Sequence, residues 1–227
     1  MILEKIQGGL VVSCQALENE PLHSSFIMGR MARAATEGGA VGIRANSAAD
    51  INEIKNNTNL PVIGIVKKDY VDSPVFITAT MNEIEELAAT DCEMIALDAT
   101  NRKRPDNETL EDFVKKIRKK APTKLLMADI ATFDEAVQAE KLGFDCVSTT
   151  LMGYTEQSAG QKIDQEDYQI LKNIVEALKI PVIAEGNVDT SEKAKRCLEL
   201  GAHSIVVGSA ITRPQFITKR FTDSINN

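Results

Sequence analysis

The chain has 227 residues, a formal net charge of −7 and 26% charged residues. That is room for one large core, and an acidic surface of this kind excludes nucleic acid as a general partner while leaving space for a local basic pocket. No apolar run approaches the roughly 20 residues needed to cross a bilayer, and the opening MILEKIQGGLVVSCQ lacks the basic, apolar, small-residue order of a signal peptide, so the expectation is a cytoplasmic protein with no membrane contact.

In chain order, residues 1–8 suit a short helix covering one end of the core, and Gly8-Gly9 releases a first strand at 10–14 that ends in Gln15. A helical pattern over 25–37 stops at Gly38-Gly39, and a second strand follows over 40–44. Residues 50–57 read as a helix, and Pro61 opens a third strand over 62–66 that runs into Lys67-Lys68. The short run 75–78 is an extra strand or an extended loop and is left uncounted. Next come a helix over 81–89, a strand over 94–97 ending at Asp98, a helix over 110–119, and a strand over 124–128 ending at Asp129. A helix over 133–141 precedes the strand 145–148, which ends at Thr149-Thr150. A helix over 165–178 leads to the strand 181–184 and Glu185. A helix over about 190–200, a strand over 204–207 and a final helix over about 215–223 complete the pattern.

Continuous apolar runs alternating with amphipathic segments predict an all-parallel α/β fold. Eight such units without an edge strand or linker predict one closed (β/α)8 TIM barrel over 1–227, with a short N-terminal helix. A doubly wound open sheet is the alternative, but no Gly-x-Gly-x-x-Gly turn follows the first strand, so a dinucleotide is poorly supported. Cys14, Cys92, Cys146 and Cys197 lack paired spacing and His23 and His203 are the only histidines, which argues against a disulfide framework and a metal site.

A barrel's active site lies at the C-terminal strand ends, where this chain places Gln15, Arg44, Lys67, Asp98, Asp129, Thr149 and Glu185. Strand parity puts Ile63, Ile65 and Lys67 on one face and Lys68 on the other. Each residue also has a plainer role open to it: Lys67 as a solvated loop lysine, Arg44 as a rim ion pair, Asp129 as the cap of the helix near Thr132, Asp98 as a turn brace. In the stretch 181–214, Gly186 and the Gly208-Ser209 turn offer bare backbone N–H groups, and Arg213 adds a guanidinium fork. This is the layout of a phosphate cradle after the last two strands of a barrel, or a tight connection that any barrel would use.

Ordered motifs along nearly the whole chain carry a family resemblance. They include Ser13-Cys14-Gln15-Ala16, Gly42-Ile43-Arg44-Ala45-Asn46, Gly64-Ile65-Val66-Lys67 before Asp69-Tyr70, and Ala96-Leu97-Asp98-Ala99-Thr100. Met127-Ala128-Asp129-Ile130, Thr149-Thr150-Leu151, Ala184-Glu185-Gly186 and the stretch from Val207 to Pro214 continue them. Together they resemble the N-acylglucosamine-6-phosphate 2-epimerases, also called N-acetylmannosamine-6-phosphate 2-epimerases, with Met152 and Asn187 as departures. The resemblance implies interconversion of N-acetylmannosamine 6-phosphate and N-acetylglucosamine 6-phosphate by inversion at C2, in sialic acid and amino sugar catabolism. It implies Lys67 as the acid/base at C2 and Glu185 as the group moving protons at the C1 hydroxyl and ring oxygen. It further implies Arg44 and Asp129 at sugar or acetamido groups, Gln15 at a hydroxyl, and the phosphate on Gly186, Gly208, Ser209 and Arg213. No electrons are transferred, so no nicotinamide or flavin cofactor is expected. The expected partners are the phosphorylated N-acetylhexosamine and a second copy of the chain in a homodimer.

Overall fold

Eight short apolar strands pair in parallel, each with its neighbours in sequence, and the last closes on the first. The computed structural model describes residues 1–226. Its strands are β1 (Leu10–Cys14), β2 (Gly42–Asn46), β3 (Val62–Ile65), β4 (Met94–Asp98), β5 (Leu125–Asp129), β6 (Cys146–Ser148), β7 (Val182–Ala184) and β8 (Ser204–Val207). The helices are α1 (Ile2–Ile6), α2 (Ser25–Glu37), α3 (Ser47–Asn57), α4 (Met81–Ala88), α5 (Leu110–Lys120), α6 (Phe133–Lys141), α7 (Gln169–Ala177), α8 (Ser191–Glu199), α9 (Ser209–Thr212) and α10 (Pro214–Asn226). Local chemistry starts several of them. Thr80, Thr109, Thr132 and Thr190 each accept a hydrogen bond from a first-turn N–H, and Glu83 and Glu135 complete capping boxes.

The eight-unit barrel expected from periodicity is the fold observed, with shifts at element ends. β2 lies at 42–46 rather than 40–44 because the Ala40 N–H is used to close α2, bonding Ala35 O at 3.0 Å. The displacement is even, so Arg44 keeps its face. The helix expected from 165 starts at Gln169, since Glu166, Asp167 and Tyr168 take positive φ angles of 49°, 53° and 61°. The uncounted segment 75–78 folds back over the barrel: Ile77 pairs antiparallel with Lys67, Thr78 N–H donates to Val66 O at 2.7 Å, and Asp98 N–H donates to Ile77 O at 3.0 Å. α9 is an addition, and α10 extends beyond the expected 215–223.

Two apolar layers follow from strand parity. Val11, Ile63, Ile65, Met94, Ala96, Met127, Cys146, Ile183 and Val206 fill the barrel interior, with Ile2 and Ile6 of α1 packed into the same cluster. The opposite strand faces, including Ile43, Ile95, Leu97, Leu126 and Ile205, pack beneath the helices against residues such as Ile51, Leu87, Phe113 and Ile174. The interior layer stops where polar side chains begin, and those side chains build the site described below. All four cysteines are buried and free. Among the described residues no helix is long and apolar enough to cross a membrane. α10 buries no residue, and Phe216, Phe221 and Ile225 stand exposed on it.

Ile6 is fully buried against the barrel floor, where a methyl group added at Gly42 would meet it at 3.1 Å. Ile6→Ala should therefore cost about 2–5 kcal/mol of stability in urea unfolding, through lost transfer energy and the cavity left behind. An unchanged midpoint would mean that α1 is not part of the core.

Candidate active site

A cavity of about 500 Å³ opens at the C-terminal strand ends, lined by Gln15, Arg44, Lys67, Glu185, Gly186, Gly208, Ser209 and Arg213 among others. These are the residues singled out from sequence, except Asp98, Asp129 and Thr149. Asp129 has no exposed surface and does not line the cavity. Both of its oxygens are given to Arg44, at 3.0 Å from Nη1 and 2.6 Å from Nη2. Burial beneath the guanidinium thus turns the Asp129 carboxylate toward Arg44 rather than toward the cavity. No bond joins it to Lys67 among the described residues. Asp98 is likewise enclosed and braces its turn, accepting from Thr100 N–H at 3.0 Å and Thr100 Oγ1 at 2.7 Å.

Arg44 projects inward from β2 and is 1% exposed. Besides the fork to Asp129, its Nη1 donates to Glu185 Oε2 at 2.8 Å. Burial by itself works against the guanidinium charge, but Asp129 and Glu185 outweigh it and hold Arg44 above its ordinary pKa. The triad therefore spans the barrel mouth from β2 to the ends of β5 and β7.

Glu185 stands at the end of β7 on a bed made by the end of β6. Thr149 Oγ1 donates to Glu185 O at 2.7 Å and accepts from Glu185 N–H at 3.0 Å, which fixes the backbone. Gly186 follows with φ +84°, and any Cβ there would meet Thr149 O at 3.0 Å and Thr150 O at 3.2 Å, so any other residue would be strained in this turn. Ser148 Oγ and Thr150 Oγ1 lie 3.2 and 3.0 Å from Glu185 Oε2. Burial pushes the Glu185 pKa up, Arg44 opposes it, and Asp129 adds to it.

Lys67 continues the inward face of β3, with its N–H donating to Asn46 Oδ1 at 2.8 Å, while Lys68 is exposed as parity requires. Among the described residues Nζ has no ion-pair or hydrogen-bond partner. Burial lowers its pKa to about 8, helped by Arg44 and Arg213 and opposed by Glu185 and Asp129. A lysine so placed is a base within reach of neutral pH.

At the far corner Gly208 caps α9, and Thr212 Oγ1 ties α9 to β1 by donating to Ser13 O at 2.9 Å. Arg213 Nη1 donates to Ser209 Oγ at 3.0 Å. Its other edge is held by Glu20, with Nε at 2.7 Å from Oε1 and Nη2 at 2.8 Å from Oε2. Gln15 Nε2 donates to Ser13 Oγ at 2.7 Å, and its buried Oε1 has no protein partner. Glu20, Ser148, Thr150 and Asn46 were missed as site residues by sequence reasoning. Ser148 and Thr150 share the inward parity of Cys146, a usable signal, whereas Glu20 sits in a loop without periodicity.

A sequence model of the family described as "Putative N-acetylmannosamine-6-phosphate epimerase" matches residues 28–227. The chain is 60% identical over 224 residues to a "Putative N-acetylmannosamine-6-phosphate 2-epimerase" of Enterobacter sp. (strain 638), covering 99% of this chain and 95% of the relative. It is also 60% identical over 220 residues to the protein of the same name from Oceanobacillus iheyensis, covering 97% and 99%. The solved N-acetylmannosamine-6-phosphate 2-epimerase from Clostridium perfringens superposes with a TM-score of 0.93 at 58% identity, covering 98% of this chain and 96% of that one. A thiamine phosphate pyrophosphorylase from Pyrococcus furiosus, at 19% identity and a TM-score of 0.63, shares the fold alone.

Asp129→Asn leaves Glu185 as the one carboxylate on the buried Arg44 guanidinium and removes the charge from the fork that holds both terminal nitrogens. It should destabilise the protein by about 1.5–3 kcal/mol in urea unfolding at neutral pH. A loss below about 1 kcal/mol would show that the Asp129 carboxylate does not hold Arg44.

Proposed function

The chain belongs to the N-acetylmannosamine-6-phosphate epimerase family, and we propose that it interconverts N-acetylmannosamine 6-phosphate and N-acetylglucosamine 6-phosphate, with Lys67 and Glu185 exchanging the protons. One observation carries this assignment of roles: a partly buried, unpaired lysine and a partly buried glutamate line one cavity whose far corner is two glycine turns and an arginine.

In the cyclic sugar the C2 hydrogen is barely acidic. Glu185 takes the proton of the C1 hydroxyl and delivers it to the ring oxygen, so the C1–ring oxygen bond breaks and a C1 aldehyde forms. Neutral Lys67 then removes the C2 proton, leaving an enolate and an ammonium. The enolate turns about its C2–C3 bond and the Lys67 ammonium gives a proton to the other face of C2, which inverts the centre and restores the neutral amine, and ring closure reverses the first step. Electrons are conserved throughout, so the reaction calls for no redox cofactor. The enolate charge develops in a cavity that already holds Arg44 and the protonated Lys67.

The phosphate lies against Gly186, Gly208, Ser209 and Arg213, where its binding energy fixes C2 relative to the base. Gln15, with an unpartnered buried acceptor, takes a sugar hydroxyl. Arg44 faces the sugar or its acetamido group. A phosphorylated sugar is an anion that does not cross a bilayer unaided, which supports cytoplasmic residence and a place in sialic acid and amino sugar catabolism. The exposed apolar residues of α10 support a homodimer.

Run in deuterium oxide, the reaction should place deuterium at C2 of the product, read by NMR; product free of label would exclude this mechanism. Lys67→Ala and Glu185→Ala should each lower kcat by about 10²–10⁴-fold with the fold intact, and near-normal turnover in both would remove the assignment. Only neutral Lys67 accepts a proton, so kcat should rise as pH increases toward the Lys67 pKa of about 8 and level off above it. An activity that falls over that range would contradict the role of Lys67. Arg213→Ala should raise KM about tenfold to a hundredfold, since a charge-assisted hydrogen bond is worth about 1.5–3 kcal/mol, and an unchanged KM would displace the phosphate from this corner.

A further inference from the structure

Thr150 has no role in the mechanism above, yet its hydroxyl is the most crowded polar atom of the site. Oγ1 lies 2.7 Å from Asp129 Oδ1, 2.8 Å from Ser148 Oγ and 3.0 Å from Glu185 Oε2. A hydroxyl carries one proton, so at any moment it serves one of these acceptors. Glu185 Oε2 is already approached by Arg44 Nη1 at 2.8 Å and Ser148 Oγ at 3.2 Å, whereas Glu185 Oε1 has no protein partner among the described residues. Oε1 is thus the oxygen left for the substrate.

We propose that Thr150 is a positioning residue that sets the proton affinity of Glu185, its hydroxyl turning between Glu185 Oε2 and Asp129 Oδ1 as Glu185 gives up or takes on a proton at Oε1. While Glu185 is ionised, Oε2 is a strong acceptor and draws the Thr150 hydrogen. Once Oε1 holds the sugar proton, Oε2 weakens as an acceptor, and Asp129 Oδ1, still anionic, becomes the better partner. The hydroxyl rotates about its own C–O bond. No bond to its hydrogen breaks and no heavy atom moves, so the site answers a change of charge without reorganising.

The surroundings leave Thr150 as the separable contributor. Facing Glu185 and its partners are Arg44 from β2, Lys67 at the end of β3, Asp129 from β5, Cys146 from β6 and, beyond Lys67, Arg213 after β8. Each charged neighbour is also needed for folding or for the reaction. Thr150 can lose its hydrogen bond to Glu185 with every charge kept, because Thr150→Val exchanges a hydroxyl for a methyl of similar shape, and it lies closer to Oε2, at 3.0 Å, than the other uncharged donor, Ser148, at 3.2 Å. The direction agrees with the balance on Glu185: burial raises its proton affinity, and the Thr150 hydrogen bond is among the contributions that lower it.

This inference rests on the assignment of Glu185 above, but its test does not require turnover. Carboxyl ¹³C NMR of protein labelled at glutamate, with Glu185 assigned by its loss in Glu185→Gln, follows the titration directly. Thr150→Val should move the Glu185 midpoint up by about one pH unit, a tenfold gain in proton affinity, and Thr150→Ser should restore it. Thr150→Ala serves as a second hydroxyl-free variant should the valine protein not fold. A midpoint unchanged in the hydroxyl-free variant, or displaced as far in Thr150→Ser, overturns the proposal whatever the epimerase assays give. In kinetics the ratio of variant to parent kcat should fall toward acid pH by up to about tenfold, with KM preserved. A merely structural residue would lower kcat by one factor at all pH values.

Discussion

Arg44 is the constraint on which the site depends. A guanidinium 1% exposed inside a closed barrel would be costly to desolvate, and it persists because its donors meet two carboxylates from different strands. The arrangement is unequal. Asp129 takes both terminal nitrogens and is sealed, while Glu185 shares one nitrogen and keeps an oxygen toward the cavity. With both carboxylates ionised the triad carries one excess negative charge, and with Glu185 protonated it is neutral. Glu185 is therefore the member whose proton count changes the charge of the cluster, and burial raises its proton affinity accordingly. Asp129 is the enclosed counter-charge of Arg44, and Glu185 the one that also faces the cavity.

Strand parity is why so much of this was legible in the sequence. Lys67 two positions beyond Ile65, Glu185 two beyond Ile183, and Arg44 one layer above Gly42 all follow from the two-residue alternation of buried strands. The same rule survived the misplaced start of β2, because an even slip returns each side chain to its own face. What parity could not convey was depth. Asp129 and Glu185 both end strands with the same orientation, yet one lies beneath the guanidinium and the other beside the cavity, a difference set by where Arg44 reaches across the mouth. Loops were less legible still. Glu20 meets Arg213 across 193 positions of sequence, and the fold-back of 75–78 depends on backbone bonds to Val66 and from Asp98 that no local pattern announces.

The far corner is organised by rigidity as well as charge. Arg213 could swing as a free surface side chain, but Glu20 grips its Nε/Nη2 edge and leaves Nη1 beside Ser209. Glu20 also accepts from Leu17 N–H at 2.9 Å, so the loop after β1 is ordered around the same carboxylate. A pre-set arginine loses less conformational freedom when an anion arrives, and more of the binding energy remains to hold the sugar against the base. Thr212, bonded to Ser13 O, carries that order across the β1–β8 seam toward Gln15.

Lys67 departs from how lysines are treated elsewhere in the chain. Lys55 meets Glu93 at 2.6 Å, and Lys193 meets Asp164 and Asp189 at 2.9 and 3.0 Å. Each finds a carboxylate near solvent, whereas Lys67 is partly withdrawn from water and paired with none among the described residues. Arg44 supplies the reason. It holds the inner oxygen of Glu185 and all of Asp129, the carboxylates that oppose the lowering of the Lys67 pKa, and it adds a positive charge of its own. Were Glu185 free to pair with Lys67, the ammonium would be stabilised and the base lost. A single buried arginine thus keeps the glutamate in place and leaves the lysine able to give up its proton, which ties the stability of the barrel mouth to the reactivity of the two groups that face the cavity.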